Sequence, residues 1–328
     1  MNEKFFKHIS VGKDGSIWAA GKTDGTIFRL FGDAGIVGWT PDKVGKAEII
    51  AAVDWGNAWC VNKAHEIWHL TNADSLDKGG AWAKVPTHSG RADARTISVG
   101  HDGTVWYTQT DGTIFRQPQP GDGTGLGLSW VQDKRLGKVK AKAVAIHAQD
   151  DAWCINKQGE IWRWAGGVWT HTPTHSGRAD ARTISVGSDG DVWYSDKNGI
   201  IFRNARPGEG NVEIWKRDKI GDQKRMGMAV VLAVATRDLV WCLNEKGEVW
   251  RAFDHKWQQL VESGPDGKTW TYTVKRGDGL MAIVRKEFKL KDPQHTQEIA
   301  RLVNLIVAQN GIKNRNRIKP GDVLTLRY

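Results

Sequence analysis

The sequence repeats itself, and the period of the repeat limits the folds available to the chain. The 15-residue string PTHSGRADARTISVG occurs at residues 86–100 and again at residues 173–187, an offset of 87. Around it runs a weaker unit of about 40 to 48 residues. Self-similarity at such a period is typical of architectures in which each unit is one supersecondary element.

Six copies of the unit align on a recurrent tryptophan. Odd copies carry the pattern ISVGxDGxxW, as at residues 97–106, and even copies carry WCxN, as at residues 153–156. The anchor tryptophans of the six copies are Trp18, Trp59, Trp106, Trp153, Trp193 and Trp241. The strict odd and even alternation indicates descent from a duplicated two-unit ancestor.

Each copy reads as four short strands. Asp-Gly and Asn-Gly pairs mark two turns in every odd copy, because these residues tolerate the positive φ that tight hairpins require. Between the turns apolar and polar residues alternate, as in TVWYT, and a fourth run usually carries a further Trp. Those fourth-strand tryptophans are Trp39, Trp82, Trp130, Trp169, Trp215 and Trp257. Four strands repeated six times predict an all-β, six-bladed β-propeller.

The string HEIWH at residues 65–69 matches the H-E-x-x-H pattern of zinc proteases, in which one helical face carries two zinc ligands. Here it aligns with GEIWR and GEVWR of the sister copies, which places it on the third strand. Strand residues four apart are separated by about 13 Å, too far for two imidazoles to share a zinc ion. We therefore expect no metal, no cofactor and no protease activity from His65, Glu66 and His69.

The repeated unit resembles tectonin repeats, which build six-bladed propellers in lectins and lipopolysaccharide-binding proteins. The resemblance covers residues 9–261, about four-fifths of the chain. It implies a propeller over residues 1–263 that binds surface glycan or lipopolysaccharide. A polar linker at residues 264–269 then separates the propeller from a second domain at residues 270–328.

The pattern changes after the linker. Residues 297–309 have apolar side chains at helical spacing, residues 279–288 predict a shorter helix with Asp278 as its N-cap, and strands at 272–275 and 323–327 bracket the pair. This β-α-α-β unit resembles a LysM domain through YTVKRGDGL, NGI and IKPGDVLTL. The resemblance implies a shallow groove for polymers of N-acetylglucosamine, such as peptidoglycan or chitin. The implied groove residues are Gly277, Asp278, Gly279, Leu280, Met281, Asn310, Gly311, Ile312 and Pro320.

The second domain departs from the LysM pattern in two places. Gly279 stands where the family usually has Thr or Ser, and the segment around residues 289–296 is longer than in compact examples. Some LysM-like domains are assembly modules of phage tails and contractile injection machines. The alternative function is therefore a structural adaptor, whose LysM-like domain docks onto such an assembly while the propeller is a recognition surface.

The duplicated THSGRADAR segments supply the candidate binding residues of the propeller. Each places His, Arg and Asp side chains on one irregular stretch, a suitable set of donors and acceptors for sugar hydroxyls. The candidates are His88, Arg91, Asp93, Arg95, His175, Arg178, Asp180 and Arg182. In the alternative interpretation these side chains only hold the connection between two blades.

Most of the 18 tryptophans should pack between blades, but Trp55, Trp164 and Trp270 lie outside the repeating Trp positions and are candidates for exposed surface. Cys60, Cys154 and Cys242 follow the anchor Trp directly, so we expect buried thiols rather than a disulfide framework.

The charge composition limits the classes of ligand that we expect the chain to bind. The net charge is +10, and residues 270–328 carry 12 Lys and Arg against 5 Asp and Glu, which favours polyanions. Nucleic acid is a poor candidate because no stacking pattern of aromatics accompanies the charge. No apolar run is long enough for a membrane span, and the start of the chain lacks a signal-peptide pattern. We expect synthesis in the cytoplasm, and release or particle association before action at a cell surface.

The sequence contains no nucleophile elbow, phosphate loop or second metal motif, so we expect a binding protein and not an enzyme. The leading hypothesis is a multivalent, lectin-like carbohydrate-binding protein.

Overall fold

The computed structural model describes most of the chain. The described residues are 5–33, 36–72, 81–117, 130–134, 137, 139–204, 215–218, 226–253, 256–260, 269–288, 299, 302–303, 306–307, 310, 312 and 314–327.

Six four-stranded antiparallel sheets form the first part of the chain, and each sheet is one continuous segment. Blades 1 to 3 contain β1 (Phe6–Val11), β2 (Ile17–Gly21), β3 (Thr26–Asp33), β4 (Ile36–Lys46), β5 (Ile49–Asp54), β6 (Asn57–Val61), β7 (Ile67–Asn72), β8 (Ala81–Val85), β9 (Ala94–Val99), β10 (Val105–Gln109), β11 (Ile114–Arg116) and β12 (Val131–Gln132). Blades 4 to 6 contain β13 (Ala141–Ala148), β14 (Asp151–Asn156), β15 (Ile161–Ala165), β16 (Val168–Thr172), β17 (Ala181–Val186), β18 (Val192–Asp196), β19 (Ile201–Asn204), β20 (Trp215–Arg217), β21 (Ala229–Thr236), β22 (Leu239–Asn244), β23 (Val249–Phe253) and β24 (Lys256–Gln259). The predicted six-bladed propeller is confirmed.

The first strand of every blade lies innermost, and these strands close a ring. Each of β1, β5, β9, β13 and β17 contacts the next of the series, and β21 returns to contact β1. Four residues from each inner strand line an axial channel. Closure is apolar as well, because Phe6 and Ile9 of blade 1 pack in one buried cluster with Trp241 and Val249 of blade 6.

A residue with left-handed backbone joins every blade to the next. It lies in the turn between the second and third strands, and its carbonyl accepts a hydrogen bond from an amide at or just before the start of the following inner strand. The six pairs, acceptor first, are Gly25 and Ala47, His65 and Ala94, Gly112 and Ala141, Gly159 and Ala181, Gly199 and Ala229, and Gly247 and Phe6. All six acceptors have positive φ, which explains five glycines, because only Gly adopts this region without steric strain.

His65 is the exception in this series, with φ 63°. It lies in the turn before β7, so the prediction that residues 65–69 form the third strand is wrong for His65 and Glu66. The His65 Nδ1–H donates to the Ala94 carbonyl at 2.9 Å, whereas His69 bonds to Asn57 Oδ1 at 2.9 Å and stacks on Trp59. The two imidazoles therefore have separate structural partners.

The Asp of each first odd-blade turn makes a second kind of joint. Asp102 Oδ1 accepts from its own turn at Thr104 N, and Oδ2 accepts from Gln149 N of the next, even blade at 2.9 Å. Asp14 and Asp189 accept the two equivalent bonds, one from the turn of their own blade and one from the next, even blade. At each of these boundaries the odd blade supplies the accepting carboxylate and the even blade supplies the donating N–H. The alternation of odd and even blades therefore has a structural basis.

Tryptophan fills the space between blades as predicted. All six anchor tryptophans are buried, as are the described fourth-strand tryptophans apart from the half-buried Trp82. Trp164 corrects one expectation. It is 2% exposed and packs against Trp169 at 5.8 Å between ring centroids, so it is core and not surface. Trp55 is half-buried, and the side chain of Trp270 lies outside the described residues.

The three cysteines are buried free thiols, as predicted. Burial raises the pKa of each thiol well above its usual value. They pack as small core residues beside the anchor tryptophans.

A separate unit, called the C-terminal unit, comprises residues 269–327. Its strands β25 (Thr269–Thr273) and β26 (Val323–Arg327) pair antiparallel, and helix α1 (Leu280–Glu287) packs in a buried cluster with residues of both strands. Ile299, Leu302, Val303, Ile306 and Val307 also have helical backbone, but the residues between them lie outside the described set. The predicted boundary at residues 263–264 lies outside it too. No helix formed by the described residues has the length and apolar content that crossing a bilayer requires.

The N-cap prediction for α1 is wrong. The N-cap is Gly279, with no side-chain cap, because the Asp278 carboxylate accepts hydrogen bonds from Tyr272 OH and Lys275 N, each at 2.8 Å.

Gly159→Ala should destabilise the propeller by about 2 kcal/mol, because it combines left-handed strain with a clash. At φ 95°, the added methyl group would lie 2.9 Å from the Ala179 carbonyl oxygen. Gly177→Ala is the matched control, since its φ is 69° but nothing lies within 4 Å of the added methyl group. It should lose only about 1 kcal/mol. Urea unfolding measures both variants, and equal losses would contradict a close interblade contact at Gly159.

Lowering the pH should destabilise the propeller through His8. His8 lines the channel and accepts the Ile50 N–H at Nδ1, and burial lowers its pKa to about 4. The unfolded chain, with a His pKa near 6.5, takes up the proton first, so stability falls between pH 6.5 and pH 4. Between these two pH values the unfolding free energy of His8→Gln, measured by urea unfolding, should fall by on the order of 1 kcal/mol less than that of the parent chain. Identical pH dependence in both proteins would contradict this.

Candidate functional site

The duplicated segments form two matching surface loops, called the twin loops, at residues 87–93 and 174–180. Each connects the fourth strand of an even blade to the inner strand of the next odd blade. Since both loops precede an inner strand, they lie at the same end of the axial channel. They are separated by blade 4, whose inner strand β13 contacts β9 and β17 on either side.

The loop histidines are held by aromatic residues of the following blade. The His88 N–H donates to Tyr107 OH at 2.8 Å, its ring stacks on Phe115 with centroids 4.7 Å apart, and its Nδ1 lies 3.0 Å from the Trp130 carbonyl oxygen. Burial raises the pKa of the Tyr107 hydroxyl, which keeps it protonated. His88 therefore anchors its loop to blade 3.

The second loop repeats this anchor. The His175 N–H donates to Tyr194 OH at 2.8 Å, and its ring stacks on Phe202 at 4.8 Å. Its Nδ1 lies 3.3 Å from the Trp215 carbonyl oxygen. Identity in sequence is thus matched by identity in geometry.

The loop carboxylates are also engaged within the fold. Asp93 Oδ2 accepts from Ser89 Oγ at 2.5 Å and from Gln109 Nε2 at 2.8 Å. Asp180 Oδ2 accepts from Ser176 Oγ at 2.6 Å. For the histidines and aspartates, the structure therefore favours the interpretation that they hold the interblade connection.

Arg91 and Arg178 differ from their neighbours. Both residues are exposed, and neither side chain makes a hydrogen bond or ion pair with another described residue. Their backbones are fixed, because each N–H donates to a loop serine hydroxyl at 3.1 Å and each carbonyl accepts from the loop threonine. The twin loops thus present two guanidinium groups from rigid backbone at equivalent positions.

Arg95 and Arg182 lie apart from the loops, on the inner strands β9 and β17. Between them, at the equivalent position of β13, lies Lys142. Burial lowers the pKa of Lys142, and the positive charges of Arg182 and Arg95 lower it further. Two predicted residues, Arg95 and Arg182, therefore lie on either side of Lys142, which the sequence analysis missed. Aligning the Ala-Lys-Ala of residues 141–143 with the Ala-Arg-Thr of residues 94–96 would have found it.

In the C-terminal unit, two of the predicted groove side chains serve the fold. Asp278 closes the turn described above, and those hydrogen bonds lower the pKa of its carboxylate, that from Lys275 N most. Asn310 Oδ1 accepts from Thr325 N at 2.7 Å, and Asn310 Nδ2 donates to the Thr325 carbonyl oxygen at 3.0 Å. The amide thereby pairs with β26 as a strand would.

The other predicted groove residues divide by exposure. Leu280 is 4% exposed and belongs to the core of the unit, so its side chain does not line a surface groove. Gly277, Met281 and Pro320 are exposed and Ile312 is half-buried. Gly311 lies outside the described residues.

Within the described part of the chain, no group of three or more His, Cys, Asp or Glu residues is placed to hold a metal ion. In the HEIWH string, His65 and His69 have the hydrogen-bond partners given above, and the Glu66 carboxylate accepts from Asn62, Trp68 and Lys84.

Comparison with known proteins bears on the propeller. Residues 1–147 match the Tectonin domain family. That stretch contains blades 1 to 3 and most of β13. With the six-bladed architecture it supports a tectonin-type propeller, and no curated protein matches the chain.

Solved structures show the propeller fold alone. Human WBSCR16 is 12% identical, with a TM-score of 0.52 over 82% of this chain and 85% of that one. The RRP9 WD40 repeats are 12% identical, with a TM-score of 0.51 over 80% of this chain and 81% of that one. At this identity neither structure carries functional information to this propeller.

Restoring a hydroxyl at residue 279 should stabilise the start of α1. Gly279 has extended backbone (φ −124°, ψ 151°) and nothing within 4 Å of an added methyl group, so serine fits. Gly279→Ser should add a few tenths of a kcal/mol by capping the N–H of Met281 or Ala282, whereas Gly279→Ala should not. Hydrogen exchange of these two amides measures the effect as an approximately twofold slowing. The same slowing in the alanine variant would contradict a capping role.

Proposed function

We propose that the protein is a multivalent carbohydrate-binding protein, lectin-like and not enzymatic. The observation that carries this proposal is the pair of twin loops, each exposing one arginine, Arg91 or Arg178, from a backbone already fixed by internal hydrogen bonds. Pre-fixed loops lose little conformational entropy when a ligand binds. The support from the Tectonin domain match is that this propeller type suits a lectin-like binding role.

Two identical sites on one face suit a repetitive ligand. A guanidinium offers a planar array of donors that matches sugar hydroxyls and acidic substituents. A single shallow site of this kind binds weakly, with Kd near 1 mM, but two linked sites raise avidity by roughly 10² to 10⁴. We therefore infer a surface polysaccharide or lipopolysaccharide as the ligand of the propeller.

The C-terminal unit supplies a second binding module in this proposal. Its resemblance to LysM domains suggests a GlcNAc-containing polymer such as peptidoglycan or chitin. Among the predicted groove residues, Gly277, Met281, Ile312 and Pro320 retain accessible surface for such a ligand. Both modules together would hold the protein at a cell surface, after release or as part of a particle.

Substituting both loop arginines should abolish glycan binding by the propeller. On a glycan array the full chain should give a saturable signal, which Arg91→Ala or Arg178→Ala alone lowers by at least tenfold because avidity is lost. The double variant should give no signal. Lys256→Ala, an exposed residue of the outer strand β24, is the matched control.

Equal signals from the double variant and the Lys256→Ala control would show that the twin loops are not the binding site. Absence of the full chain from glycan arrays, peptidoglycan and chitin alike would refute carbohydrate binding altogether.

A second candidate function is a structural adaptor that docks onto a phage-tail-like or contractile injection assembly. It is favoured by one observation, the use of the Asp278 and Asn310 side chains within the C-terminal unit, next to the exposed apolar residues Met281 (43%) and Val323 (60%). Apolar surface suits a protein partner better than a sugar. Met281→Ser with Val323→Ser in the full chain should then release it from the particle, while GlcNAc oligomers should not. Release by the oligomers alone would favour glycan binding.

A further inference from the structure

One end of the axial channel carries three positive charges on neighbouring strands. Arg95, Lys142 and Arg182 occupy the same position on β9, β13 and β17, directly after a buried alanine. In each blade the residue lies where the register with the second strand shifts, which marks a β-bulge. Bulges occur at the rims of barrels and beside functional sites, because the extra residue re-aims its side chain.

The rest of the ring at this level does not neutralise the three cations. The equivalent residues of the other blades are Lys7, Glu48 and Val230. Lys7 and Glu48 form an ion pair with each other, and Val230 is uncharged. Arg95, Lys142 and Arg182 make no ion pair or side-chain hydrogen bond with another described residue. The channel end, called the cationic mouth, therefore carries three positive charges that form no ion pair with a described carboxylate.

Such an arrangement is unfavourable by itself and becomes favourable with an anion. Like charges near a protein surface repel, and a half-buried ammonium has already lost part of its hydration. Lys142 shows both effects in its lowered pKa. An anion bound among the three groups would offset the repulsion between them and replace part of the lost hydration.

The three side chains of the mouth retain access to solvent, since Arg95 is exposed and Lys142 and Arg182 are half-buried. The turns between second and third strands, at the same end of the propeller, carry both lysines (Lys63, Lys157, Lys197) and carboxylates (Glu66, Asp111, Glu160). The positive charge that would attract an anion is therefore that of the mouth itself. Behind the mouth, the channel is lined by small and apolar residues, by His8 and by the hydroxyl residues Ser10, Thr96, Ser98, Thr183 and Ser185, so it offers space and hydroxyl groups.

We propose that the cationic mouth formed by Arg95, Lys142 and Arg182 is a binding site for a phosphate-type anion, either free or carried by a sugar. Two guanidinium groups and one ammonium provide charge-assisted donors for several oxygens of such a group. The site is distinct from the twin loops and does not rest on the proposed function. If the anion is carried by a sugar, the mouth adds acidic-glycan specificity to that function.

Calorimetry and thermal unfolding of the full chain test this site with three probes: inorganic pyrophosphate, glucose 6-phosphate and glucose. Ionic strength is held constant with NaCl, because nonspecific charge effects would otherwise contribute. Pyrophosphate or glucose 6-phosphate should bind saturably and raise the Tm, and glucose should do neither. Lys142→Gln should weaken the binding about tenfold or more and abolish the rise in Tm.

Lys197→Gln is the matched control, since it removes an exposed lysine from the same end but outside the mouth. It should bind both phosphate compounds as the parent chain does. Arg95→Gln provides a second test of the mouth should Lys142→Gln fail to fold. Without anion and at low ionic strength, Lys142→Gln should unfold at the same or a higher temperature, because it relieves repulsion.

Tighter binding of glucose 6-phosphate than of pyrophosphate would assign the site to a phosphorylated glycan, and the reverse order would assign it to a free anion. Absence of saturable binding by both compounds would overturn the proposal, as would equal weakening by Lys142→Gln and Lys197→Gln. Neither result bears on the twin loops, because their test uses Arg91 and Arg178.

Discussion

The structure depends on one hydrogen bond made six times. A carbonyl at a left-handed residue accepts a hydrogen bond from an amide at or just before the start of the next inner strand. The sixth bond, from Phe6 N to the Gly247 carbonyl at 3.0 Å, joins the two ends of the propeller. Among the described strands, none from one end of the propeller completes the sheet of the other end, so closure relies on this bond and on the apolar cluster around Phe6. A closed ring leaves no open face between its first and last blades.

Closure also determines where ligands can be bound. Because every blade starts its inner strand at the same end, the residues just before and just after that start are collected on one face. The twin loops come before, with Arg91 and Arg178, and the cationic mouth comes after, with Lys142 at its centre. The repeated two-blade segment carries the loop twice in the same orientation, which is a simple basis for multivalency.

Much of the fold could be predicted from the sequence because its signals are local. Asp-Gly and Asn-Gly pairs fix the hairpin turns, and the spacing of tryptophans fixes the number of blades. The same reasoning failed where a residue depends on a neighbouring blade or element. Trp164 lies outside the repeating positions yet packs against Trp169, and His65 occupies a turn position that its sister copies give to glycine.

The candidate sites were harder to predict for the same reason. A list of polar residues in THSGRADAR does not say which residues bond within the fold. His88 bonds to Tyr107 and Asp93 bonds to Ser89, whereas the Arg91 side chain bonds to no described residue. Lys142 lies 47 residues from Arg95 in sequence, and only the ring places the two side by side.

The central claim is that the ring is closed by six equivalent bonds, and amide hydrogen exchange of the Phe6 N–H tests it most directly. In a closed ring this amide should be protected to the same free energy as the equivalent amides of Ala141 and Ala181, because all three open only with the propeller. Exchange of Phe6 as fast as an exposed loop amide, with Ala141 and Ala181 still protected, would show an open ring and contradict the account.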